Sequence, residues 1–178
     1  MRSDQPEVGV IALKNILVAT DFGEPAAAAL RYGRELARRF NASLHVLHVV
    51  DDLSAHAVPG PGMPADFGEM QTTLEQDAFS NLQSLVSEPD RAALHAHLEI
   101  AISAWPGQAI LGYARDLKID LIIVGTHGRT GLAYFFLGSV AQQVARGATC
   151  PVLTVRAQER DFIHPDALLR IHHEEVRH

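Results

Sequence analysis

The chain has 178 residues, which suits one domain, and its 47% apolar and 20% charged residues are the balance of a globular protein with a real core. Fifteen basic residues against twenty-one acidic ones give a net charge of −6, which argues against a general nucleic-acid-binding surface. The single cysteine excludes an intrachain disulfide.

Neither a membrane span nor a secretory signal is apparent in the sequence. No apolar run approaches the roughly 20 residues that a spanning helix needs. Residues 1–15 carry an early arginine but lack a long apolar segment of the secretory type. We therefore expect a cytoplasmic protein that does not bind membranes.

Five short runs rich in valine, isoleucine and leucine predict buried strands. Several are almost continuously apolar, as expected for parallel strands that are covered on both faces. The runs lie at 16–20 (ILVAT), 43–50 (SLHVLHVV), 97–102 (HLEIAI), 120–125 (DLIIVG) and 151–155 (PVLTV).

Amphipathic patterns between these runs predict helices. Pro25 suits the first turn of the first helix, Pro106 and Gly107 lead into the third, and Gly147 can end the fourth. The apolar stripes are Ala26, Ala29, Leu30, Gly33, Leu36, Ala37 and Phe40; Phe67, Met70, Leu74, Ala78, Leu82 and Leu85; Ile110, Leu111, Ala114 and Leu117; and Val140, Val144 and Ala145.

Strands that alternate with helices predict an α/β fold with a parallel sheet. The Pro/Gly-rich stretch 57–68 is interpreted as a flexible loop within the domain. Residues 157–178 follow the last strand and are interpreted as a C-terminal extension of a domain formed by 1–156, in which Pro165 and Asp166 could start a short helix.

Two loops carry the chemistry that the sequence suggests. If the strand order is 3-2-1-4-5, the first and fourth strands are neighbours, and the loops that follow them face one crevice. The first loop carries Asp21, which can accept hydrogen bonds from sugar hydroxyls or a base amine. The second spans 125–139 (GTHGRTGLAYFFLGS), where glycines and a helix N-terminus can surround phosphate oxygens and Arg129 adds a charge.

Simpler interpretations of the same residues remain open. The glycines could serve tight turns alone, Asp21 could only cap the first helix, and Ser139 could be only an N-cap. No Gly-Lys dipeptide occurs, so there is no Walker A loop. The sequence GPGMPA at 60–65 imitates a dinucleotide fingerprint but lacks the tight strand–turn–helix context.

The spacing Gly125-x2-Gly128-x9-Gly138-Ser139 resembles the ATP-binding signature of the universal stress protein family. The segments KNILVATDFGEP, LHVLHVVD and CPVLTV resemble the first, second and last strands of that family, in the correct order. The similarity covers roughly residues 13–156.

This resemblance implies a Rossmann-like open parallel sheet of order 3-2-1-4-5 with helices on both faces. It also implies a homodimer and a bound ATP, together with Mg²⁺, held by the glycine loop. Ala19, Thr20 and Asp21 would border the adenosine, and the Val49 backbone would meet the adenine. Val124 and Gly125 would lie beneath the ribose, and the phosphates would be held by Gly128, Arg129, Gly138, Ser139 and Val140.

The chain departs from the family pattern at two places. Gly23 stands where the family usually has serine, so a capping hydroxyl is lost. The linker 132–136 (LAYFF) is apolar where basic residues are common, which leaves only Arg129 to balance a triphosphate. Losing one charge-assisted contact of about 1.5–3 kcal/mol would weaken binding roughly tenfold or more.

The remaining conspicuous residues are interpreted as structural. We expect a solvated loop residue at His127 and packing of Tyr134, Phe135 and Phe136 on the core or a subunit contact. Cys150 is expected to be a buried, inert thiol. His45 and His48 should point to opposite faces of a strand, and His95 and His97 should share one; neither these nor the C-terminal histidines predict a metal site.

Two functional hypotheses follow from the sequence. The first is an ATP-binding stress or regulatory protein that hydrolyses ATP at most slowly, since efficient phosphoryl transfer needs more positive charge than Arg129 supplies. The alternative is an interaction module of the same fold that binds no nucleotide, with 132–136 and the C-terminal extension as docking surfaces. Either would dimerise through the last strand, 151–155, because it would form a sheet edge.

Overall fold

A computed structural model describes residues 10–56, 66–126, 138–157 and 163. Five strands form one parallel sheet in the order β3-β2-β1-β4-β5, which confirms the predicted Rossmann-like fold. The strands are β1 (Asn15–Ala19), β2 (Ser43–Val50), β3 (His97–Ile102), β4 (Leu121–Gly125) and β5 (Val152–Val155). The helices are α1 (Glu24–Phe40), α2 (Phe67–Leu85), α3 (Glu88–Ala93), α4 (Pro106–Asp116) and α5 (Ser139–Gly147), and a 3-10 turn spans Leu53–His56.

The strands fall where the apolar runs predict them, within one residue at either end. The central strand β1 pairs with β2 on one side and β4 on the other, so that Leu17 lies opposite both His45 and Ile122. Ile16, Leu17 and Val18 are fully buried. Continuous burial arises because helices cover both faces of a parallel sheet.

Side-chain alternation along the strands divides the interior into two cores, one on each face of the sheet. The core on the α1 and α2 face includes Ile16, Val18, Leu44, Val46 and Leu82. The core on the α4 and α5 face includes Leu17, Leu47, Ile110, Ile122 and Val144. The strand ends that lie between these two layers form the edge at which ligands bind in such folds.

The glycine in the middle of α1 has a packing role. A Cβ on Gly33 would overlap Cγ2 of Val18, so α1 lies too close to β1 to accept a side chain at that position without a shift. This glycine lets α1 lie close to the sheet, and the short connection from Ala19 to Glu24 places the N-terminus of α1 near the end of β1.

Helix α2 differs from the prediction in how much of its apolar stripe is buried. Ala78 and Leu82 are buried, but Met70 is 51% and Leu74 is 41% exposed. The C-terminal half of the stripe packs on the sheet, whereas Met70 and Leu74 in the N-terminal half are largely exposed. The helix also begins at Phe67, so the predicted loop at 57–68 extends too far into it; residues 57–65 lie outside the described part.

Helix α3 was not predicted from the sequence, although a local signal is present. The hydroxyl of Ser87 accepts a hydrogen bond from the backbone N–H of Asp90, and Pro89 lies in the first turn. These are the cap and the proline expected at a helix start. The helix has only six residues, and none of them is buried, so it lacks the apolar stripe on which helix prediction depends.

Several sequence interpretations fall on residues outside the described part of the chain. They concern His127, the aromatic residues at 134–136, the short helix at Pro165 and the histidines of the C-terminal extension. Ile163 is the one residue of 158–178 that is described, and it packs half-buried against the core on the α1 face. Every helix in the described part of the chain is too short or too polar to span a bilayer.

Candidate functional site

A cavity of about 280 Å³ opens at the carboxyl ends of β1, β2 and β4, where the strand order reverses. Nine of the eleven predicted site residues line it: Ala19, Thr20, Asp21, Val49, Val124, Gly125, Gly138, Ser139 and Val140. The other two, Gly128 and Arg129, lie outside the described residues. The structure therefore brings the described part of the predicted site together around one space.

The loop after β1 has a fixed shape. The N–H of Phe22 donates to the Thr20 hydroxyl at 3.0 Å, and the N–H of Gly23 donates to Oδ1 of Asp21 at 2.9 Å. The N–H of Thr20 donates to the carbonyl of Leu47 at 2.9 Å, which ties the loop to β2. Gly23 is the N-cap of α1 and has no side-chain cap bond, so Asp21 does not cap the helix from the N-cap position; its carboxylate instead accepts from the N–H of Gly23.

The N-terminus of α5 supplies backbone donors to the cavity. Gly138 is the N-cap and Ser139 is the first helical residue, so the interpretation of Ser139 as the N-cap is wrong. The first bond within the helix runs from the N–H of Gln142 to the carbonyl of Gly138. The N–H groups of Ser139, Val140 and Ala141 therefore have no acceptor within the helix and lie at the positive end of its dipole.

Gly125 is a glycine for a reason that involves no ligand. A Cβ there would lie 2.7 Å from the carbonyl carbon of Pro25 and 2.8 Å from the nitrogen of Ala26. The start of α1 thus contacts the end of β4 backbone to backbone. This contact closes the floor of the cavity and gives Gly125 a packing role, which differs from the tight-turn role that the sequence left open.

Six further residues line the cavity that were not among the predicted site residues: Ala26, Leu47, His48, Pro106, Ile110 and Ala141. Pro106 and Ile110 come from α4, whose N-terminus also lies at the carboxyl edge of the sheet. The third connection from a strand to a helix could have indicated them. In a parallel sheet, every such connection lies at the carboxyl ends of the strands. His48 had no signal beyond being a polar residue in an apolar strand.

The walls of the cavity differ in chemistry. Val49, Pro106 and Ile110 make one side apolar, whereas the amides of α5 make another side a hydrogen-bond donor. Asp21 is the one carboxylate among the described residues that line the cavity. Such a site suits a ligand with a flat apolar part, hydroxyl groups and an anionic part.

The histidines of β2 point to opposite faces of the sheet, as the sequence predicts. Nδ1 of His45 lies 3.0 Å from the Tyr113 hydroxyl of α4, and the His45 ring stacks on that of His97 at 4.7 Å. His48 instead contacts Phe22, with a ring-centroid distance of 4.4 Å. His95 lies before β3 in a left-handed conformation, so the expectation that it shares a strand face with His97 is wrong.

Cys150 is half-buried rather than fully buried. Burial raises the pKa of its thiol above the ordinary value. A thiol that resists ionisation is a poor nucleophile, which fits the expected inertness.

Comparison with known proteins shows that residues 12–156 match the universal stress protein family. Universal stress protein MJ0531 of Methanocaldococcus jannaschii is 30% identical over 148 residues, which cover 83% of this chain and 85% of that protein. Universal stress protein YxiE of Bacillus subtilis is 30% identical over 145 residues, which cover 79% and 97%. The structure of universal stress protein UspA from Lactobacillus plantarum is 28% identical, covers 83% of this chain and all of that one, and superposes with a TM-score of 0.67.

The family match covers most of the chain, and the sheet order and the cavity at the switch point agree with it. The chain belongs to the universal stress protein family.

Proposed function

We propose that this protein is a cytoplasmic stress-response regulator that binds an adenine nucleotide, ATP with Mg²⁺, in the cavity between β1 and β4. The observation that carries the proposal is the convergence on one cavity of nine residues that the family resemblance of the sequence implies. Nucleotides bind at this place in open α/β sheets because strand ends, loops and helix N-termini meet there.

The apolar wall fits the base. Adenine would lie against Val49, Pro106 and Ile110, with the Val49 backbone providing polar contacts. Asp21 would receive hydrogen bonds from the sugar or the base. Its Oδ1 already accepts from Gly23, and Oδ2 has no partner among the described residues. One carboxylate oxygen thus holds the loop while the other is left for the ligand.

The donor wall fits the phosphates. Three N–H groups at the start of α5 can bind anionic oxygens, and the Ser139 side chain is exposed beside them. Gly128 would let the main chain approach the phosphates, and Arg129 would add the positive charge. Because this is little charge for a triphosphate, a Mg²⁺ ion would neutralise part of it when bound, with Asp21 as the nearby carboxylate.

Two universal stress proteins of the same fold have been solved with adenine nucleotides. One structure is a complex with cAMP, and it superposes with a TM-score of 0.57 at 22% identity. Another is the Archaeoglobus fulgidus protein in complex with dAMP, at 19% identity and a TM-score of 0.50. These identities establish the fold alone, and the support for nucleotide binding by this chain is its own cavity.

Regulation rather than turnover is the proposed use of the nucleotide. Phosphoryl transfer needs a positioned metal, an oriented water and added positive charge. Arg129 is the only arginine or lysine in the stretch 119–145, so hydrolysis would be slow. Occupancy would instead bias the shape of a homodimer that pairs through β5.

Calorimetric titration with Mg-ATP tests the proposal. Asp21→Asn keeps an oxygen that can accept from Gly23 but removes the charge, so we expect binding to weaken about tenfold with the fold intact. Asp116→Asn, at the far end of α4, is the matched control and should bind like the parent. Gly128→Val should block the path of the pyrophosphate. Undiminished binding by both Asp21→Asn and Gly128→Val would remove the proposed site.

An interaction module without nucleotide is the second candidate. It is favoured by the exposed apolar side chains of Met70 and Leu74 in α2 and by Trp105, which is 67% exposed. Such side chains are common at protein contacts. Titration in which the parent protein binds no adenine nucleotide would place this candidate first. The docking surfaces suggested by the sequence, 132–136 and the C-terminal extension, lie outside the described residues apart from Ala157 and Ile163.

A further inference from the structure

The loop that carries Asp21 is held from the neighbouring strand by a histidine. Nδ1 of His48 lies 2.8 Å from the carbonyl oxygen of Thr20. A carbonyl oxygen can only accept a hydrogen bond, so Nδ1 carries the proton and donates it. The imidazole keeps a proton on Nδ1 in this contact whether it is neutral or charged.

The same ring also contacts the strained residue of the loop. Phe22 has a φ of 63°, a left-handed conformation that is costly for a residue with a large side chain. Its ring packs on that of His48 with a centroid distance of 4.4 Å. His48 thus contacts Thr20 and Phe22, the residues on either side of Asp21. These two residues are also joined to each other, since the Phe22 N–H donates to the Thr20 hydroxyl.

The turn determines where the carboxylate of Asp21 lies. Asp21 is the residue between the two that His48 contacts, and its Oδ1 is oriented by the N–H of Gly23. His48 itself lines the cavity. A shift of the Thr20 carbonyl would therefore move Asp21 relative to β4 and to the start of α5.

We infer that His48 is a positioning residue, whose Nδ1–H bond to Thr20 sets the loop that presents Asp21 to the ligand. This inference rests on the proposed function only for what the loop binds. Asn can replace the Nδ1 donor of His, because its amide nitrogen occupies nearly the same position. Gln places its amide nitrogen where Nε2 lies, beyond the reach of that bond.

The test compares His48→Asn with His48→Gln by two measurements. In calorimetric titration with Mg-ATP, we expect His48→Asn to bind within about twofold of the parent and His48→Gln to bind about fivefold more weakly, the effect of one ordinary hydrogen bond. Without any ligand, amide hydrogen exchange at Phe22 and Gly23 should accelerate in His48→Gln and stay close to the parent rate in His48→Asn. His97→Gln, on β3, is the control and should leave these amides unchanged.

Equal behaviour of the two variants would overturn the inference. If both bind and exchange like the parent, the bond is dispensable, and if both are equally impaired, the ring packs rather than donates. The exchange measurement needs no nucleotide. Absence of Mg-ATP binding in the parent would therefore count against the proposed function, while the exchange rates would still decide the role of His48.

Discussion

Gly125 and Pro25 are in backbone contact: a methyl group on Gly125 would lie 2.7 Å from the carbonyl carbon of Pro25. Neither β4 nor the first turn of α1 can move away without disturbing core packing, since both are joined to buried residues. We expect Gly125→Ala to lower the free energy of unfolding by about 1–3 kcal/mol through overpacking. Urea unfolding followed by circular dichroism measures the change.

Gly112 provides the control for this prediction. It lies within α4, and a Cβ there would meet nothing within 4 Å. Gly112→Ala should therefore raise the free energy of unfolding by about 0.5–1 kcal/mol, because alanine loses less backbone entropy in a helix. Equal effects of the two substitutions would mean that the contact of Gly125 with α1 is not what makes glycine necessary.

His45 makes the stability of the fold depend on pH. Burial, with a smaller effect of neighbouring His97, lowers its pKa from 6.5 to about 4. The unfolded chain takes up this proton below pH 6.5 and the native chain does not, so stability falls as the pH drops from about 7 towards 4 and then levels off. The loss from this group at pH 5 is about 2 kcal/mol.

Substitution of His45 isolates that contribution. His45→Asn removes the ionising ring but keeps polar atoms near the Tyr113 hydroxyl, so its unfolding free energy should depend less steeply on pH between 7.5 and 5. Urea unfolding at several pH values measures the slope, and His95→Gln, at an exposed position, should retain the slope of the parent. A slope in His45→Asn as steep as that of the parent would contradict the assignment.

In the edge strand β5, alternate residues direct their backbone N–H and C=O groups away from β4. The carbonyls of Pro151 and Val155 accept from N–H groups of Ile122 and Thr126, so in this strand the odd-numbered residues bond to β4. Val152 and Thr154 therefore direct their backbone groups to the open edge. Thr154→Pro should leave the fold intact and dissociate the proposed dimer, as measured by analytical ultracentrifugation.

Leu153→Pro is the informative counterpart, because it removes a donor that faces β4. It should destabilise the fold itself rather than only the pairing of two copies. A folded Thr154→Pro variant that sediments as an unchanged dimer would show that the subunits pair elsewhere.

Trp105, the only tryptophan of the chain, lies directly before Pro106, a residue of the cavity wall. The side chain is 67% exposed, so its fluorescence should be that of a solvated indole and should be quenched readily by acrylamide. Binding of Mg-ATP beside Pro106 should change the emission intensity, whereas inorganic tripolyphosphate, which has no base, should not. An identical response to both would place the ligand away from this wall.

The sheet could be predicted from the sequence because its signals are local. Buried parallel strands need uninterrupted apolar runs, and each of the five runs became a strand. The exposure of Met70 and Leu74 could not be predicted in this way, because it depends on where the sheet ends rather than on the α2 pattern. Helix α3 was missed because its signal is a cap and not an apolar stripe.

The candidate site was predictable to a similar extent and for a similar reason. Glycines and Asp21 follow strands directly, and strand ends converge in this topology, so these residues could be placed together without coordinates. His48 could not be found in that way, since its role depends on a hydrogen bond from β2 to the loop that follows β1. The function of Gly125 in packing was also hidden, because the contact with Pro25 joins distant parts of the chain.

Titration of the isotope-labelled protein with Mg-ATP, followed by the backbone amide resonances in two-dimensional NMR, tests the nucleotide site most directly. We predict the largest shifts at the amides of Ser139, Val140 and Ala141 and in the Thr20–Gly23 loop. The amide of Lys118, at the amino ends of the strands, should not shift. Saturating nucleotide that leaves the α5 amides and this loop unchanged would contradict the account.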